Sequence, residues 1–246
     1  MPATIPGHPP AEICVLIPAY NEEKAIAGVV ERARRAARKV VVVDDGSSDR
    51  TAEMAEKAGA EVIRHGVNRG KGVALRNGCR QIFGEGWDRL IVVDGDGQHP
   101  PEKIADFVRV ADETSAAIVV GNRMADISTM PAIRFYTNWL TSAVISRLIG
   151  QKVPDSQCGF RLIRKDAMEA IDLATSNYDT ESEMLIEAGR KGFAIASVPI
   201  PTIYAGAVSK IRPGRDTWRF IRLVMRSLFA RGKRAKKKDD GQSISR

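Results

Sequence analysis

Short apolar runs alternate with helical segments along the first half of the chain. The runs are rich in β-branched residues and are continuous rather than alternating, which is typical of parallel strands covered on both faces. The predicted strands are Ile13–Ile17, Val40–Val43, a shorter Glu61–Ile63, Leu90–Val93 and Ile118–Val120.

Capping signals predict helices between these strands. Asn21 is a candidate N-cap, Gly59 follows the end of a helix, and Pro101 suits a first helical turn. The alternation of strand and helix predicts an α/β fold on a Rossmann-like, doubly wound, mostly parallel sheet with helices on both faces. The predicted helices are Glu22–Arg38, Thr51–Lys57, Lys71–Phe83 and Glu102–Asp112.

The second half of the chain has more varied segments. Thr180 and Glu183 form a capping-box pattern for a helix that runs to about Lys191. Before it we predict an apolar helix at Ile133–Ile149 and a polar loop leading into a strand at Asp155–Arg164. After it we predict a strand at Ala194–Val198 and a long loop at Pro199–Asp216, which is followed by a last helix.

Length and cysteine usage favour one globular domain in a reducing compartment. A chain of 246 residues suits a single α/β domain. Cys14, Cys79 and Cys158 lie far apart, so neither a disulfide framework nor a metal-site spacing is indicated. The N-terminus does not have the pattern of a signal peptide, and no apolar run approaches the ~18 residues that a membrane span needs. We therefore expect a cytoplasmic protein.

Acidic residues follow two of the predicted strands. Asp44 and Asp45 end one strand. Asp94 and Asp96 end another, so we expect all of these carboxylates to converge at the carboxyl edge of the sheet. Like charges packed together repel unless a cation lies between them. Oxygen ligands suit Mg²⁺ or Mn²⁺, and Gln98 offers a neutral oxygen in the same alternation.

Two classes of nucleotide-binding protein are disfavoured. The first strand is not followed by the GxGxxG turn of dinucleotide-binding dehydrogenases. The segment NRGKG does not have the spacing of a phosphate-binding P-loop.

Five segments, in order, resemble the motifs of family-two inverting glycosyltransferases, which have the GT-A fold. The closest resemblance is to the dolichol-phosphate mannosyltransferase-like, or polyprenyl-phosphate glycosyltransferase, group, and it spans about Ile13 to Phe220. It implies inverting, metal-dependent transfer of a mannose- or glucose-type sugar from a GDP- or UDP-linked donor to a polyprenyl or dolichyl phosphate. The motifs are IPAYNEE (Ile17–Glu23), VVDDGSSDRT (Val42–Thr51), NRGKG (Asn68–Gly72), VDGDGQHP (Val93–Pro100) and DSQCGFRLIRK (Asp155–Lys165).

The resemblance also implies a role for individual residues. Asp94, Asp96 and Gln98 would ligate Mg²⁺ or Mn²⁺. Asp44 would share with Asp45 in holding the nucleotide, and its alternative role is structural. Asp94 and Asp96 are also expected to be catalytic, together with Asp155 and Arg161. The donor would be held by Pro18, Tyr20, Glu22, Asp44, Asp45, Lys71 and Lys210.

A lipid phosphate is already ionised, so it needs cations more than a general base. By resemblance, Arg123 and Arg134 would hold the acceptor phosphate, since a guanidinium donates two parallel hydrogen bonds. Arg161 and Lys210 would serve the donor diphosphate or close over it. Asp155 is the candidate base if one is used, and otherwise orients Arg161 or the acceptor. Three other residues near these motifs have structural interpretations. We interpret Glu183 as a helix cap, His99 as a turn residue and Cys158 as a packed thiol.

The formal net charge of +8 is concentrated near the C-terminus. We divide the chain into a flexible N-terminus (1–11), a GT-A domain (12–215), a basic amphipathic helix (216–232) and a disordered basic tail (233–246). Apolar and basic residues of the helix lie on different faces, so it either binds the membrane interface or packs on the catalytic domain. Nucleic acid is a less favoured partner, because basic and aromatic residues do not interleave.

The predicted protein is therefore a glycosyltransferase that is peripheral on the cytoplasmic face of a membrane. Within the transferase class, the alternative acceptor is a sugar hydroxyl of a glycan or glycolipid. An alternative of another class is a non-catalytic, transferase-like subunit of a membrane complex, although the intact DxD segment (Asp94–Asp96) argues against it.

Overall fold

The computed structural model describes residues 11–127, 130–176, 179–201 and 222–225. Its strands form one sheet in the order β3-β2-β1-β4-β6-β5-β7. Neighbouring strands are parallel except that β6 runs antiparallel to both β4 and β5, so the sheet is mostly parallel, as predicted. The strands are β1 (Ala11–Ala19), β2 (Ala37–Asp44), β3 (Glu61–Arg64), β4 (Arg89–Val92), β5 (Ile118–Asn122), β6 (Arg161–Arg164) and β7 (Ile195–Pro199).

The helices cover both faces of this sheet. From β1 the chain steps to β2 and then β3, so α1 and α2 share one face and contact each other. Helix α3 carries the chain back to β4 across the other face, where it contacts α7. The helices are α1 (Ile26–Ala36), α2 (Thr51–Lys57), α3 (Lys71–Gly84), α4 (Ile104–Thr114), α5 (Ala132–Ile149), α6 (Lys165–Ala170) and α7 (Asp179–Arg190). Two short 3₁₀ helices are Pro101–Lys103 and Arg123–Ala125.

The continuous apolar runs form the core, as their pattern predicts. In β1, every side chain from Ile13 to Ile17 is fully buried, because helices pack on both faces of the central strands. Leu16 of β1 lies directly against Gly78 of α3, where an added Cβ would approach its methyl group to 2.3 Å. The missing side chain lets the helix approach the sheet closely.

Two predicted helix starts are wrong. The first helix begins at Ile26 rather than Glu22, because Asn21 has a left-handed backbone (φ 53°) and its side chain accepts from Ser48 N instead of capping a helix. Helix α7 begins at Asp179, and Glu183 accepts from Thr175 N (2.9 Å) rather than completing a capping box with Thr180.

The chain divides into two compact units, Met1–Ala207 and Val208–Arg246. The first unit contains the sheet. In the second, residues 222–225 form a helical turn in which Leu223 is buried. Most of the predicted basic helix (216–232), the basic tail (233–246) and nearly all of the N-terminal segment (1–11) lie outside the described residues. Among the described residues, no helix combines the length and apolar character required to cross a lipid bilayer.

Candidate active site at the switch point of the sheet

The strand order reverses between β1 and β4, and in open α/β sheets such a reversal opens a crevice beyond the carboxyl ends of the strands. Tyr20 follows β1 and is exposed, while Asp94 follows β4 and is partly exposed. The turn that continues from Asp94 lies against the end of β1, since a Cβ added to Gly95 would be 3.4 Å from Ala19 Cβ. The first DxD carboxylate and the YNEE loop thus flank one crevice.

Asp94 is held by an ammonium group from α3. Lys71 Nζ lies 2.5 Å from Asp94 Oδ1 and 2.7 Å from Glu181 Oε1 on α7. Burial opposes ionisation of both partners, but the opposite charges outweigh it: the pKa of Asp94 lies well below its usual range and the pKa of Lys71 well above. Asp94 is therefore a carboxylate at all physiological pH values.

The backbone of the DSQCGF loop lies against the other side of Asp94. A Cβ added to Gly159 would be only 2.5 Å from Asp94 Oδ2 and 2.7 Å from Oδ1. Only glycine leaves room for the carboxylate in this position. The loop and Lys71 together fix the direction in which Asp94 points.

Asp96 and Gln98 continue the turn after Asp94. Asp96 Oδ1 accepts from Gln98 N (3.0 Å), and both side chains are partly exposed. Within the described residues, no three acidic, histidine or cysteine side chains cluster as a ready-made metal site. The carboxylates of Asp94 and Asp96 are separated by one residue and are partly exposed, so they nevertheless fit Mg²⁺ or Mn²⁺. These ions take oxygen ligands and commonly complete their shells with substrate phosphates and water.

Asp44 ends β2 and Asp45 follows it, and both carboxylates have hydrogen-bond partners within the protein. Asp45 is buried, and its oxygens accept from His65 Nδ1 (2.7 Å), Arg69 N (3.0 Å) and Gly70 N (2.7 Å). It therefore fixes the NRGKG loop rather than facing a nucleotide. Asp44 accepts from Ser47 N (3.1 Å). This bond corresponds to the structural role that we gave as the alternative for Asp44.

Hydrogen bonds join the YNEE loop to the DDGSSDRT loop. Asn21 N donates to Ser47 Oγ (2.9 Å), Glu22 N donates to Thr51 Oγ1 (2.8 Å) and Glu23 N donates to Asp49 Oδ2 (3.2 Å). Sequence reasoning missed this network, although the density of Ser, Thr, Asp and Asn in both loops is its signal. The network positions Tyr20 and Glu22 at the crevice, while Pro18 lies buried within β1.

Arg123 forms a two-pronged ion pair with Asp155. The Nε and Nη2 atoms of Arg123 donate to Asp155 Oδ2 (2.7 Å) and Oδ1 (3.0 Å), and its backbone N–H donates to Oδ2 (3.1 Å). The Asp155 side chain is fully buried, so it orients Arg123 and is not placed to act as a base. Arg123 also contributes to the low pKa of Asp94, and the DSQCGF loop that begins with Asp155 lies against that carboxylate.

Arg161 lies in the interior, which corrects its predicted catalytic and donor-binding roles. Its three nitrogens donate to the carbonyl oxygens of Cys158 (2.7 Å), Glu181 (2.6 Å) and Ser156 (2.7 Å). Each of the three nitrogens is thus directed at a backbone carbonyl, and the residue is 2% exposed. Arg161 thus clamps the DSQCGF loop onto the start of α7.

Two further cations were predicted to bind phosphate groups of the substrates. Arg134 lies in the first turn of α5 and is partly exposed. Lys210 lies outside the described residues.

A buried histidine lies behind Asp94. His99 is 3% exposed, its Nδ1 is 3.4 Å from Asp94 N, and its ring stacks on Phe160. Burial lowers the pKa of His99 despite the nearby carboxylates. His99 is more than the turn residue we predicted, because it packs under the Asp94–Gln98 turn. Cys158 is buried, and burial raises the pKa of its thiol to about 12, which confirms it as a packed residue.

Comparisons with known proteins show which family this chain resembles. The model of glycosyl transferase family 2 matches residues 14–172. A UDP-N-acetylglucosamine–dolichyl-phosphate N-acetylglucosaminyltransferase of Methanococcus voltae is 33% identical over 78% of this chain and 86% of its own length. An undecaprenyl-phosphate mannosyltransferase of Micrococcus luteus is 31% identical over 76% of this chain and 82% of its own length.

Solved structures share the fold. A glucosyl-3-phosphoglycerate synthase from Mycobacterium tuberculosis superimposes with a TM-score of 0.65 at 22% identity, covering 89% of this chain and 80% of that one. The same enzyme with Mn²⁺, UDP and glucosyl-3-phosphoglycerate superimposes with a TM-score of 0.63 at 23% identity, over 89% of this chain and 79% of that one. The predicted GT-A fold is confirmed.

Proposed function

This chain belongs to glycosyl transferase family 2, and we propose that it transfers a hexose-type sugar from a nucleotide-sugar to a polyprenyl phosphate with inversion. The observation that carries the proposal is the pairing of two features at one crevice: the Asp94–Asp96 turn, and the Arg123 guanidinium that Asp155 orients beside it. The names of the relatives support a polyprenyl-phosphate acceptor. Both GDP- and UDP-linked donors are compatible with the site.

The donor would lie between the YNEE loop and the DxD turn. Tyr20 is exposed at the end of β1, where it can pack against the nucleotide, with Pro18 and Glu22 beside it. Lys71, and Lys210 from the segment outside the described residues, would contact the diphosphate. Asp94, Asp96 and Gln98 would hold Mg²⁺ or Mn²⁺, which neutralises charge on the leaving nucleoside diphosphate when bound.

The acceptor would bind through its phosphate on Arg123 and Arg134. In a single displacement, an acceptor phosphate oxygen forms a bond to the sugar's anomeric carbon as the bond to the nucleoside diphosphate breaks. The attacking oxygen carries no proton near neutral pH, so no base is needed. The burial of Asp155 agrees with this chemistry, because the carboxylate is used to aim Arg123.

The protein would work as a peripheral enzyme on the cytoplasmic face of a membrane, with its C-terminal basic helix at the lipid surface. This helix is proposed from its sequence. Removal of residues after Arg215 should lower co-sedimentation with anionic liposomes, and unchanged co-sedimentation would count against it.

The test of function is a donor screen with a short-chain polyprenyl phosphate, with and without Mg²⁺ or Mn²⁺. We expect metal-dependent formation of a sugar-phosphate-lipid from one donor. The Asp96→Ala variant should lose about 100-fold or more of this activity while remaining folded, since a bridging cation lowers the barrier by several kcal/mol. Asp112→Ala on the protein surface is the matched control. Nucleotide binding without turnover on any acceptor would overturn the proposal in favour of a non-catalytic subunit.

A further inference from the structure

Helix α5 is exposed on its apolar side. The residues that it buries include Asn138 and Ser142, which are 7% and 3% exposed. The large apolar side chains of Ile133, Tyr136, Trp139 and Leu140 are between 56% and 78% exposed. A helix on a protein surface ordinarily shows the reverse arrangement.

Specific hydrogen bonds prevent α5 from turning this apolar face inward. Ser142 Oγ accepts from Ser156 N (2.8 Å), and one helical turn later Ser146 Oγ accepts from Val153 N (2.9 Å). Near the end of the helix, Ile149 lies against Gly189 of α7, where an added Cβ would be 2.6 Å from Ile149 Cβ. The rotation of α5 is therefore fixed, and the exposed apolar face is a permanent feature of the fold.

The charge around this face has one sign. The stretch Met130–Pro154 contains Arg134, Arg147 and Lys152 and no acidic residue. Arg147 is exposed and lies two turns after Leu140, on the same side of α5. Tyr and Trp side chains favour the boundary between water and lipid, and nearby cations are attracted to anionic headgroups.

We propose that the exposed face of α5 (Ile133, Tyr136, Trp139, Leu140 and Arg147) is a docking surface for an anionic lipid bilayer. A second copy of the chain fits this face less well, because two such surfaces would bring like charges together. The inference rests on the proposed function in one respect: an acceptor with a polyprenyl chain lies in a membrane. Docking through α5 would bring that acceptor's phosphate to Arg123, which precedes the helix in the chain.

The test is partitioning of the full chain onto vesicles of phosphatidylcholine, with and without phosphatidylglycerol. We expect binding to the anionic vesicles and at least a fivefold lower partition coefficient for the double variant Trp139→Ser/Leu140→Ser. Val67→Ser, which removes an apolar side chain that is 64% exposed outside α5, should bind like the native chain. Any contribution of the C-terminal segment is the same in all three proteins. The ratio of the partition coefficients of the native chain and the double variant therefore measures the contribution of the α5 face alone. Equal partitioning of the double variant and the native chain would overturn the inference.

Two further measurements separate this inference from its alternatives. A native dimer that the double variant converts to a monomer, with vesicle binding unchanged, would assign the face to a second copy and overturn lipid docking. Turnover of a water-soluble short-chain acceptor should be unchanged in the double variant, while turnover of a long-chain acceptor in vesicles falls at least fivefold. Absence of turnover in the native chain on either acceptor would overturn the proposed function, whereas the partition ratio still decides the inference.

Discussion

Lys71 and Glu181 form an ion pair of 2.7 Å between α3 and α7, and the same ammonium group contacts Asp94. Glu181 is 8% exposed, and it belongs to none of the motifs recognised in the sequence. Its carboxylate shares the Lys71 charge with Asp94, so it influences how strongly Lys71 holds the DxD turn. Glu181 is thus a positioning residue for the proposed metal site.

Replacement of Glu181 by Gln should therefore weaken the site without unfolding it. Lys71 would then interact with Asp94 alone and compete with the metal for that carboxylate. Loss of an outer partner of a metal ligand typically costs about 10-fold or more in metal affinity, so we expect the Mn²⁺ concentration for half-maximal activity to rise by that factor. Glu53→Gln, on the exposed side of α2, is the matched control. An unchanged metal requirement in Glu181→Gln would contradict this role.

Gly159→Ala should displace Asp94. The added Cβ would lie 2.5 Å from a carboxylate oxygen, and the backbone that carries it is held by the Arg161 clamp. A displacement of about 1 Å at a catalytic group can cost about 100-fold in rate, which is the loss we expect in turnover at saturating substrate. Gly28→Ala on α1 meets no atom within 4 Å and should keep full activity.

The alanine at position 28 should also stabilise the fold slightly, by about 0.5–1 kcal/mol in unfolding free energy, because glycine is unfavourable within a helix.

Asp155→Asn distinguishes an orienting carboxylate from a base. An amide cannot accept both Arg123 hydrogen bonds, so the guanidinium loses its fixed direction. We expect KM for the acceptor phosphate to rise about 10-fold or more, consistent with the loss of a buried charged hydrogen bond, while KM for the donor stays within about twofold. The pH dependence of kcat should keep the native shape. A kcat that collapses and then recovers as the pH is raised would instead identify Asp155 as a base.

Arg161→Lys should destabilise the fold. A lysine cannot reach three carbonyl oxygens in three directions, and each hydrogen bond to a charged group contributes about 1.5–3 kcal/mol, so we expect a loss of about 3 kcal/mol in unfolding free energy. Arg164→Lys on the same strand replaces an exposed partner of Asp166 and should cost less than about 1 kcal/mol. Urea denaturation of both variants measures the difference. Equal midpoints would show that the clamp contributes little.

The three thiols should be unreactive in the native protein. Burial raises the pKa of Cys14 and of Cys79 to about 12, from an ordinary value near 9. The unfolded chain ionises these thiols first, so the stability that they contribute is complete below pH 9 and is lost as the pH rises towards 12. A thiol reagent at pH 8 should label none of the three cysteines until guanidinium is added. Rapid native labelling would show that these side chains are accessible.

The sheet was predictable because its strands are apolar without interruption. The runs at Ile13–Ile17 and Ile118–Val120 identify two of its buried strands, and the helix at Thr51–Lys57 was predicted with its observed limits. The antiparallel direction of β6 was not predictable from pattern, since a short apolar run reads the same in either direction. The start of α1 was misplaced because Asn21 bonds to the next loop, which local capping rules do not include.

The candidate site could be predicted only where the residue type and its position after a strand determine its role. Asp94 and Asp96 follow a strand, and that position brings them to the crevice. Asp45 follows a strand as well, yet backbone N–H groups of the NRGKG loop occupy its oxygens. Arg161 has the charge that a diphosphate requires, but the carbonyl groups that it satisfies come from tertiary packing. Partners contributed by distant segments are not encoded in local spacing.

The antiparallel strand β6 has a consequence for how such enzymes diversify. Because β5 and β6 are antiparallel neighbours, the chain leaves and re-enters the sheet at one edge, and the Gly121 N–H donates to Phe160 O (2.9 Å) at that exit. Helix α5 lies in the segment between these two points, outside the sheet. The length of such a segment can change at a small entropic cost without shifting the register of any strand, provided that the DSQCGF loop keeps its place against Asp94. A change in the length of α5 therefore need not move β1 and β4, whose carboxyl ends carry Tyr20 and the Asp94 turn.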